Sequence, residues 1–179
     1  MINNKQTIYF VGGAKGVGKS TLLDELKKHT GIQIVNTGDF FNYANKKKVA
    51  NPKKFAKENM FKFFFANSPL IADTHYAGFI DGIYSGKFER GLYEQELDFL
   101  ASKTDLELIL IDMDPDLLLE RRLGDKFNNR DYDFENLKKE LDANRTYFHE
   151  YCEQLKKDGV LIKESDFDKK FAKLYSIFK

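Results

Sequence analysis

The chain has 179 residues, with 42% hydrophobic and 32% charged residues, so it is long and apolar enough to form one globular domain spanning residues 1–179. Lys and Arg total 29 against 28 for Asp and Glu, and this balance argues against a protein that coats nucleic acid or anchors to a membrane by basic residues. The single cysteine, Cys152, excludes an intrachain disulfide. No apolar run approaches the roughly 20 residues of a membrane helix. We expect a cytoplasmic protein with neither a nucleic-acid nor a membrane partner.

Short apolar runs alternate with amphipathic segments along the chain. In chain order, the pattern predicts strands over 6–12, 32–35, 69–72, 106–111 and 160–163. Helices are predicted over 18–29, 37–67, 92–101, 116–123, 131–157 and 167–178. The glycine-rich stretch 76–91 indicates an irregular surface loop. Strands that alternate with helices predict a three-layer α/β domain, in which helices cover both faces of a parallel sheet.

A glycine-rich segment lies between the first predicted strand and the first predicted helix. It has the pattern Gly, four residues, then Gly-Lys-Ser, with Gly13, Gly18, Lys19 and Ser20 in the fixed places. Glycines let successive backbone N–H groups converge on a phosphate, and the helix that follows adds the positive end of its dipole. Lys19 can reach the β- and γ-phosphates. We predict that residues 13–21 bind a nucleoside triphosphate: Gly13, Ala14, Lys15, Gly16, Val17, Gly18, Lys19, Ser20 and Thr21.

Such a loop needs a carboxylate that holds Mg²⁺, directly or through water, together with the Ser20 hydroxyl. Two predicted strands are followed directly by an aspartate, Asp73 and Asp112. We favour Asp73, because the polar segment Thr74-His75 follows it, whereas Asp112 leads into a helix start rich in capping carboxylates. The predicted metal ligands are therefore Ser20 and Asp73.

Arginine is scarce, and four of the five arginines lie between residues 121 and 145. A guanidinium fork suits a transferring phosphoryl group, so we expect residues 121–131 to form a short lid that closes over bound phosphates. Arg121 would bind the nucleotide, and Arg122, Arg130 and Arg145 would clamp the phosphoryl group. In the alternative interpretation these arginines pair on a helix surface with Glu120, Asp125 and Asp131.

These motifs, in this order, resemble those of an archaeal-type adenylate kinase within the P-loop nucleoside monophosphate kinases. The segments that carry the resemblance are the loop 13–21, Val35 to Asp39, Ala72 to His75, and the arginine motifs of 121–125, 129–131 and 144–145. The resemblance implies the P-loop NTPase fold with a five-stranded parallel sheet, MgATP on the loop, and a small acceptor-binding insertion over 37–68. It also implies an acceptor site that includes Thr37, Gly38, Asp39, Asp73 and His75.

The expected reaction is transfer of the γ-phosphoryl group of MgATP to a nucleoside monophosphate, with AMP the first candidate, and Lys19, Arg122, Arg130 and Arg145 as catalytic residues. No arginine occurs between Thr37 and Lys87, although such acceptor sites commonly use one, so another monophosphate stays open. A hydroxyl metabolite is a second alternative, with Asp39 or Asp73 as base. A nucleotide-gated ATPase or switch that acts on a partner is the third. The sequence does not indicate an oligomeric state.

Overall fold

The computed structural model describes residues 6–81, 84–125 and 131–179. Its central sheet consists of β1 (Thr7–Gly12), β2 (Gln33–Asn36), β3 (Leu70–Asp73), β6 (Asp105–Ile111) and β7 (Val160–Ile162). The strand order is β2-β3-β1-β6-β7, and every pair is parallel. The predicted five-stranded parallel sheet is thus confirmed, with each strand within two residues of its predicted bounds.

Two hydrophobic clusters lie on opposite faces of this sheet. The strand β6 shows the division, because Leu106, Leu108 and Leu110 belong to one cluster whereas Ile109 and Ile111 belong to the other. The first face is covered by α3 (Pro52–Asn67), α4 (Glu94–Lys103) and most of α6 (Phe134–Leu155). The second face is covered by α1 (Lys19–Thr30), α5 (Pro115–Gly124), α7 (Phe167–Ser176) and the first turns of α6. Burial on both faces explains why the strands are almost continuously apolar.

The predicted helix over 37–67 is two helices in the structure, α2 (Thr37–Lys46) and α3. The side chain of Asn36 accepts a hydrogen bond from the Gly38 N–H at the start of α2. Asn51 does the same for the Lys54 N–H at the start of α3, where Pro52 occupies the first turn. None of the helices in the described ranges is long and apolar enough to cross a bilayer.

The prediction of an irregular surface loop over 76–91 is wrong near both ends of that stretch. Strands β4 (Ala77–Phe79) and β5 (Phe88–Arg90) form an antiparallel hairpin, in which Ala77 pairs with Arg90. The rings of Phe79 and Phe88 pack 5.3 Å apart, and both strands contact α6. Tyr76 and Ala77 are buried. Glycines suggested a loop, but the aromatic pair and the support of α6 stabilise strands here instead.

Candidate active site

The phosphate loop follows β1 and has a backbone that only glycine adopts readily. Gly13, Gly16 and Gly18 have φ values of 146°, 91° and 94°. A Cβ on Gly13 would collide with the carbonyl oxygen of Ile111, so any larger residue there must displace backbone. The helix α1 begins at Lys19 and has no acidic residue in its first turn. Its N-terminal N–H groups are therefore suited to an anion.

Two side chains converge on one carbonyl of this loop. Lys19 donates from Nζ to the oxygen of Gly13 at 2.8 Å and to that of Ala14 at 3.3 Å. The Nδ1 atom of His75 lies 2.6 Å from the same Gly13 oxygen. Because a carbonyl oxygen only accepts, Nδ1 must carry the proton in this contact. His75, which follows β3, is thus bonded directly to the loop.

A buried ion pair fixes the peptide groups of Lys15. The Lys15 N–H donates to Glu140 Oε1 at 2.7 Å, and its carbonyl accepts from Arg122 Nη2 at 2.8 Å and Nε at 3.1 Å. Arg122 and Glu140 bond to each other at 2.6 Å, with side chains only 1% and 4% exposed. Arg122 also donates to the carbonyl of Asp131. These bonds hold the Arg122 guanidinium against the backbone of the phosphate loop. That Arg122 clamps a phosphoryl group stays a prediction.

The other predicted arginines fall in three different settings. Arg121 donates weakly to the carbonyl of Val17, at 3.4 Å, and so lies beside the loop. Arg145 is held by Asp112 at 2.8 Å and Asp142 at 2.9 Å. Arg130 and residues 126–130 of the predicted lid lie outside the described residues. The structure therefore brings Arg121 and Arg122 to the loop and pairs Arg145 with carboxylates.

The two strand-end carboxylates differ in how they are compensated. Asp112 is 2% exposed and bonds to Arg145 and, at 3.6 Å, to Lys163. Asp73 is 9% exposed, and no described side chain forms a hydrogen bond or ion pair with its carboxylate. Burial raises the pKa of the Asp73 carboxyl, and the nearby Lys19 ammonium opposes that shift. A buried carboxylate without such compensation suits a cation.

The donor set fits Mg²⁺. In the described part of the chain no three His, Cys, Asp or Glu residues cluster as a ready-made metal cage. Mg²⁺ does not need one, because it keeps several waters and takes one or two protein oxygens together with substrate phosphates. The exposed Ser20 hydroxyl at the start of α1 and the Asp73 carboxylate supply oxygens of that kind.

A cavity of about 490 Å³ adjoins the phosphate loop. Its walls come from the loop, α2, α3, the segment after β3, the β4–β5 hairpin and α6. Three of the predicted acceptor residues, Thr37, Gly38 and His75, line it. Asp39 is exposed in the first turn of α2, and neither Asp39 nor Asp73 is part of the lining. Aromatic side chains make up much of the remaining wall, namely Phe10, Phe41, Tyr76, Phe79, Tyr93 and Tyr151.

Four cationic residues also line this cavity: Lys15, Lys53, Lys57 and Arg90. Lys53 forms an ion pair with Glu89, and Lys57 forms one with Glu96 at 2.6 Å. The Lys53 bond lowers the pKa of the Glu89 carboxyl, so both partners stay charged. Arg90 forms ion pairs with Glu94 at 3.6 Å and with Glu150 at 3.9 Å. The cavity therefore combines apolar ring surfaces with cationic donors, three of which are paired with carboxylates, and a ligand with a planar ring and a phosphate would contact both kinds of group.

Sequence reasoning missed Arg90 as a site residue. Its guanidinium lies 4.8 Å above the ring of Tyr151 and donates from Nη2 to Gln154 at 2.5 Å. Its Nε atom is buried and has no hydrogen-bond partner among the described residues. The pairing of β4 with β5 is what brings Arg90 to the cavity. The signal that could have located it was the Phe79 and Phe88 pair of that hairpin.

The comparisons with known proteins agree with this geometry. The family described as "AAA domain" matches residues 12–139. An adenylate kinase from Thermoplasma acidophilum is 30% identical over 159 residues, covering 79% of this chain and 80% of that protein. A cytidylate kinase from Thermoplasma volcanium is 31% identical over 130 residues, covering 65% of this chain and 68% of that protein.

Solved structures share the fold at low identity. YorR from Bacillus subtilis, in complex with phosphorylated GDP, has a TM-score of 0.63 at 16% identity and covers 95% of this chain and 94% of its own. Shikimate kinase from Acinetobacter baumannii, in complex with shikimate, has a TM-score of 0.58 at 15% identity, with 97% and 93% covered. The family match covers most of the chain, and the adenylate kinase relative aligns over four-fifths of its own length. This chain therefore belongs to the P-loop kinases of the AAA-domain family, which are ATP-dependent phosphotransferases related to nucleoside monophosphate kinases.

Proposed function

We propose that the protein transfers the γ-phosphoryl group of MgATP to a nucleoside monophosphate, with AMP the first candidate, and so produces two diphosphates. The observation that carries the proposal is the cavity, which is lined by aromatic rings, by Lys53, Lys57 and Arg90, and by Lys15 of the phosphate loop itself. A base stacked on rings and a phosphate near cations would fill such a space. The curated relatives named adenylate kinase and cytidylate kinase support the same acceptor class.

Arg90 is proposed to hold the acceptor phosphate. The stretch between residues 37 and 87 contains no arginine that could take this role. The buried Nε donor of Arg90 without a partner costs free energy in the ligand-free protein, and a phosphate oxygen would satisfy it. The stacking on Tyr151 keeps the guanidinium plane in place. Thr37 and His75 line the same cavity.

A phosphate acceptor fits the lining better than a hydroxyl metabolite does. A hydroxyl group benefits from a base that removes its proton, whereas a phosphate oxygen is already anionic at neutral pH. Among the described residues, Glu89 is the one carboxylate in the cavity wall, and it already bonds to Lys53 and to the Tyr93 hydroxyl. The predicted alternative bases, Asp39 and Asp73, lie outside the lining.

The chain's own residues would act by positioning and charge. Lys19 would exchange the carbonyls of Gly13 and Ala14 for the β- and γ-phosphates of ATP. Arg122 and Glu140 would keep the loop in shape during that exchange, through the peptide groups of Lys15. Ser20 and Asp73 would hold Mg²⁺, which when bound neutralises charge on the phosphate oxygens.

The test is diphosphate production by the purified protein with MgATP and each of AMP, CMP, UMP and GMP, with shikimate as a hydroxyl acceptor and ATP alone as the baseline. We expect monophosphate-dependent turnover that K19A lowers by about 10²–10³-fold. The control K28A alters an exposed lysine of the same helix and should retain normal turnover.

The outcomes separate the alternatives. Turnover with shikimate but with no monophosphate would assign a hydroxyl acceptor and overturn the proposal. Hydrolysis of ATP that no acceptor accelerates would support the ATPase or switch. A rate with CMP well above the rate with AMP would keep the reaction and change the preferred base.

A further inference from the structure

Lys15 occupies a position in the phosphate loop that the Gly-x-x-x-x-Gly-Lys pattern leaves variable. The structure nevertheless holds its backbone on both sides, since the N–H donates to Glu140 and the carbonyl accepts from Arg122. Both partners are almost completely buried and bond to each other. Charge-assisted bonds from a buried pair fix the orientation of a peptide group strongly. The direction in which the Lys15 side chain leaves the loop is therefore determined by the fold.

That direction is toward the cavity. The Lys15 ammonium lies 4.6 Å from the ring centroid of Phe79 on β4, and both residues belong to the cavity wall. Lys19, in contrast, bonds to carbonyls within the loop. The two lysines of one loop thus point to different sites, Lys19 to the site of the triphosphate and Lys15 to the cavity.

We propose that Lys15 is an acceptor-binding residue, whose ammonium binds the phosphate of the nucleoside monophosphate from the side of the phosphate loop. This inference rests on the proposed function. Two phosphate groups that approach for transfer repel each other, and a cation held between them offsets part of that repulsion. Lys15 is the cationic cavity residue that the loop itself supplies, so its charge lies on the wall that the acceptor shares with ATP.

Phe79 is the second part of this arrangement. The attraction of an ammonium for an aromatic ring is weaker than its attraction for an anionic phosphate oxygen. The contact with Phe79 therefore directs the Lys15 ammonium into the cavity, and a bound phosphate would compete with the ring for it.

The test compares K15M with wild type, because methionine keeps a long unbranched side chain without the charge. The matched control is K138M, which removes an ammonium 4.4 Å above the ring of Phe134, outside the cavity lining. We expect the KM for the monophosphate to rise at least about 10-fold in K15M, with the KM for ATP within twofold of wild type. K15R should restore most of the acceptor affinity, and K138M should match wild type.

Calorimetric titration of AMP and CMP into wild type and K15M, without ATP, separates this inference from the proposed function. If wild type binds a monophosphate but does not phosphorylate it, the proposed function fails, and a 10-fold weaker Kd in K15M still supports the role of Lys15. If the two KM values rise together in K15M, or if neither changes, the inference is overturned. If wild type binds no monophosphate, both proposals are overturned.

Discussion

The phosphate loop and the cavity share a wall, yet they are held together differently. The loop is one continuous segment, stabilised by bonds from Lys19, His75, Arg122 and Glu140 to its own backbone groups. The cavity is assembled from separate segments, and charged side chains of its wall pair across elements, as Lys53 of α3 does with Glu89 of β5. A loop held through its backbone tolerates exchange of many side chains. A cavity built from side chains can change its ligand through single substitutions.

We expect the largest effect when the buried charge that holds the phosphate loop is removed. R122M leaves Glu140 buried without its partner, and loss of one member of a buried ion pair costs about 3–5 kcal/mol. We expect the free energy of unfolding, measured in urea, to fall by that amount. The affinity for ATP should fall as well, because the Lys15 carbonyl loses its donor.

The double variant R122M/E140L distinguishes stability from loop geometry. An apolar pair of similar volume often restores the stability that a broken ion pair loses. We therefore expect the double variant to regain most of the free energy of unfolding but little of the ATP affinity. A double variant with normal ATP affinity would show that the loop keeps its shape without these two side chains. A single R122M variant with normal stability but impaired turnover would instead support the predicted phosphate clamp.

An intermediate effect is expected at Asp73, because the buried carboxylate that would hold Mg²⁺ also lowers the stability of the fold. Burial raises the pKa of this carboxyl in the folded protein, so the ionised form is disfavoured by folding. The free-energy cost of burying the ionised carboxylate is absent below the ordinary pKa of Asp, about 3.9. It is complete once the pH exceeds the raised pKa of the folded protein. D73N should therefore have a higher thermal unfolding temperature than wild type at pH 7 without metal, and the gain should disappear as the pH falls toward 3.5.

The same substitution should lower Mg²⁺-dependent turnover by about 10²-fold, since a carboxylate oxygen on the metal is lost. Calorimetry in EDTA and kinetics with varied Mg²⁺ measure the two effects separately. The matched control is D168N, at an exposed aspartate of α7 that does not line the cavity. A D73N variant that is less stable than wild type at pH 7 would contradict this account.

The smallest effect concerns Tyr76, where the wall of the cavity meets the sheet. Its hydroxyl donates to the carbonyls of Phe10 at 3.0 Å and Ile109 at 3.2 Å, and its ring lies where a Cβ on Gly12 would be. We expect Y76F to lower the free energy of unfolding by about 1 kcal/mol, the net contribution of an ordinary hydrogen bond. Steady-state KM values should stay within twofold of wild type. A large change in the KM for ATP would mean that this residue also shapes the loop.

The parts that could be predicted from sequence are those with a local signal. The loop pattern and the continuously apolar strands each depend on neighbouring residues, and the sheet follows from them. The cavity depends on contacts between distant residues, such as Tyr76 with Asn144 of α6 and Leu92 with Tyr151. Glu140 gave no local signal, because an isolated charge in a sequence is usually a solvated side chain.

The carbonyl of Gly13 also has a spectroscopic consequence. It fixes the proton of His75 on Nδ1, whereas His29 and His149 are exposed side chains. The ¹⁵N and ¹H resonances of the His75 ring should therefore stand apart from those of the other two imidazoles. Since Lys19 shares this oxygen, its departure toward a bound phosphate would strengthen the remaining bond from His75. The protein thus contains a natural NMR reporter of loop occupancy, one that needs no label at the nucleotide.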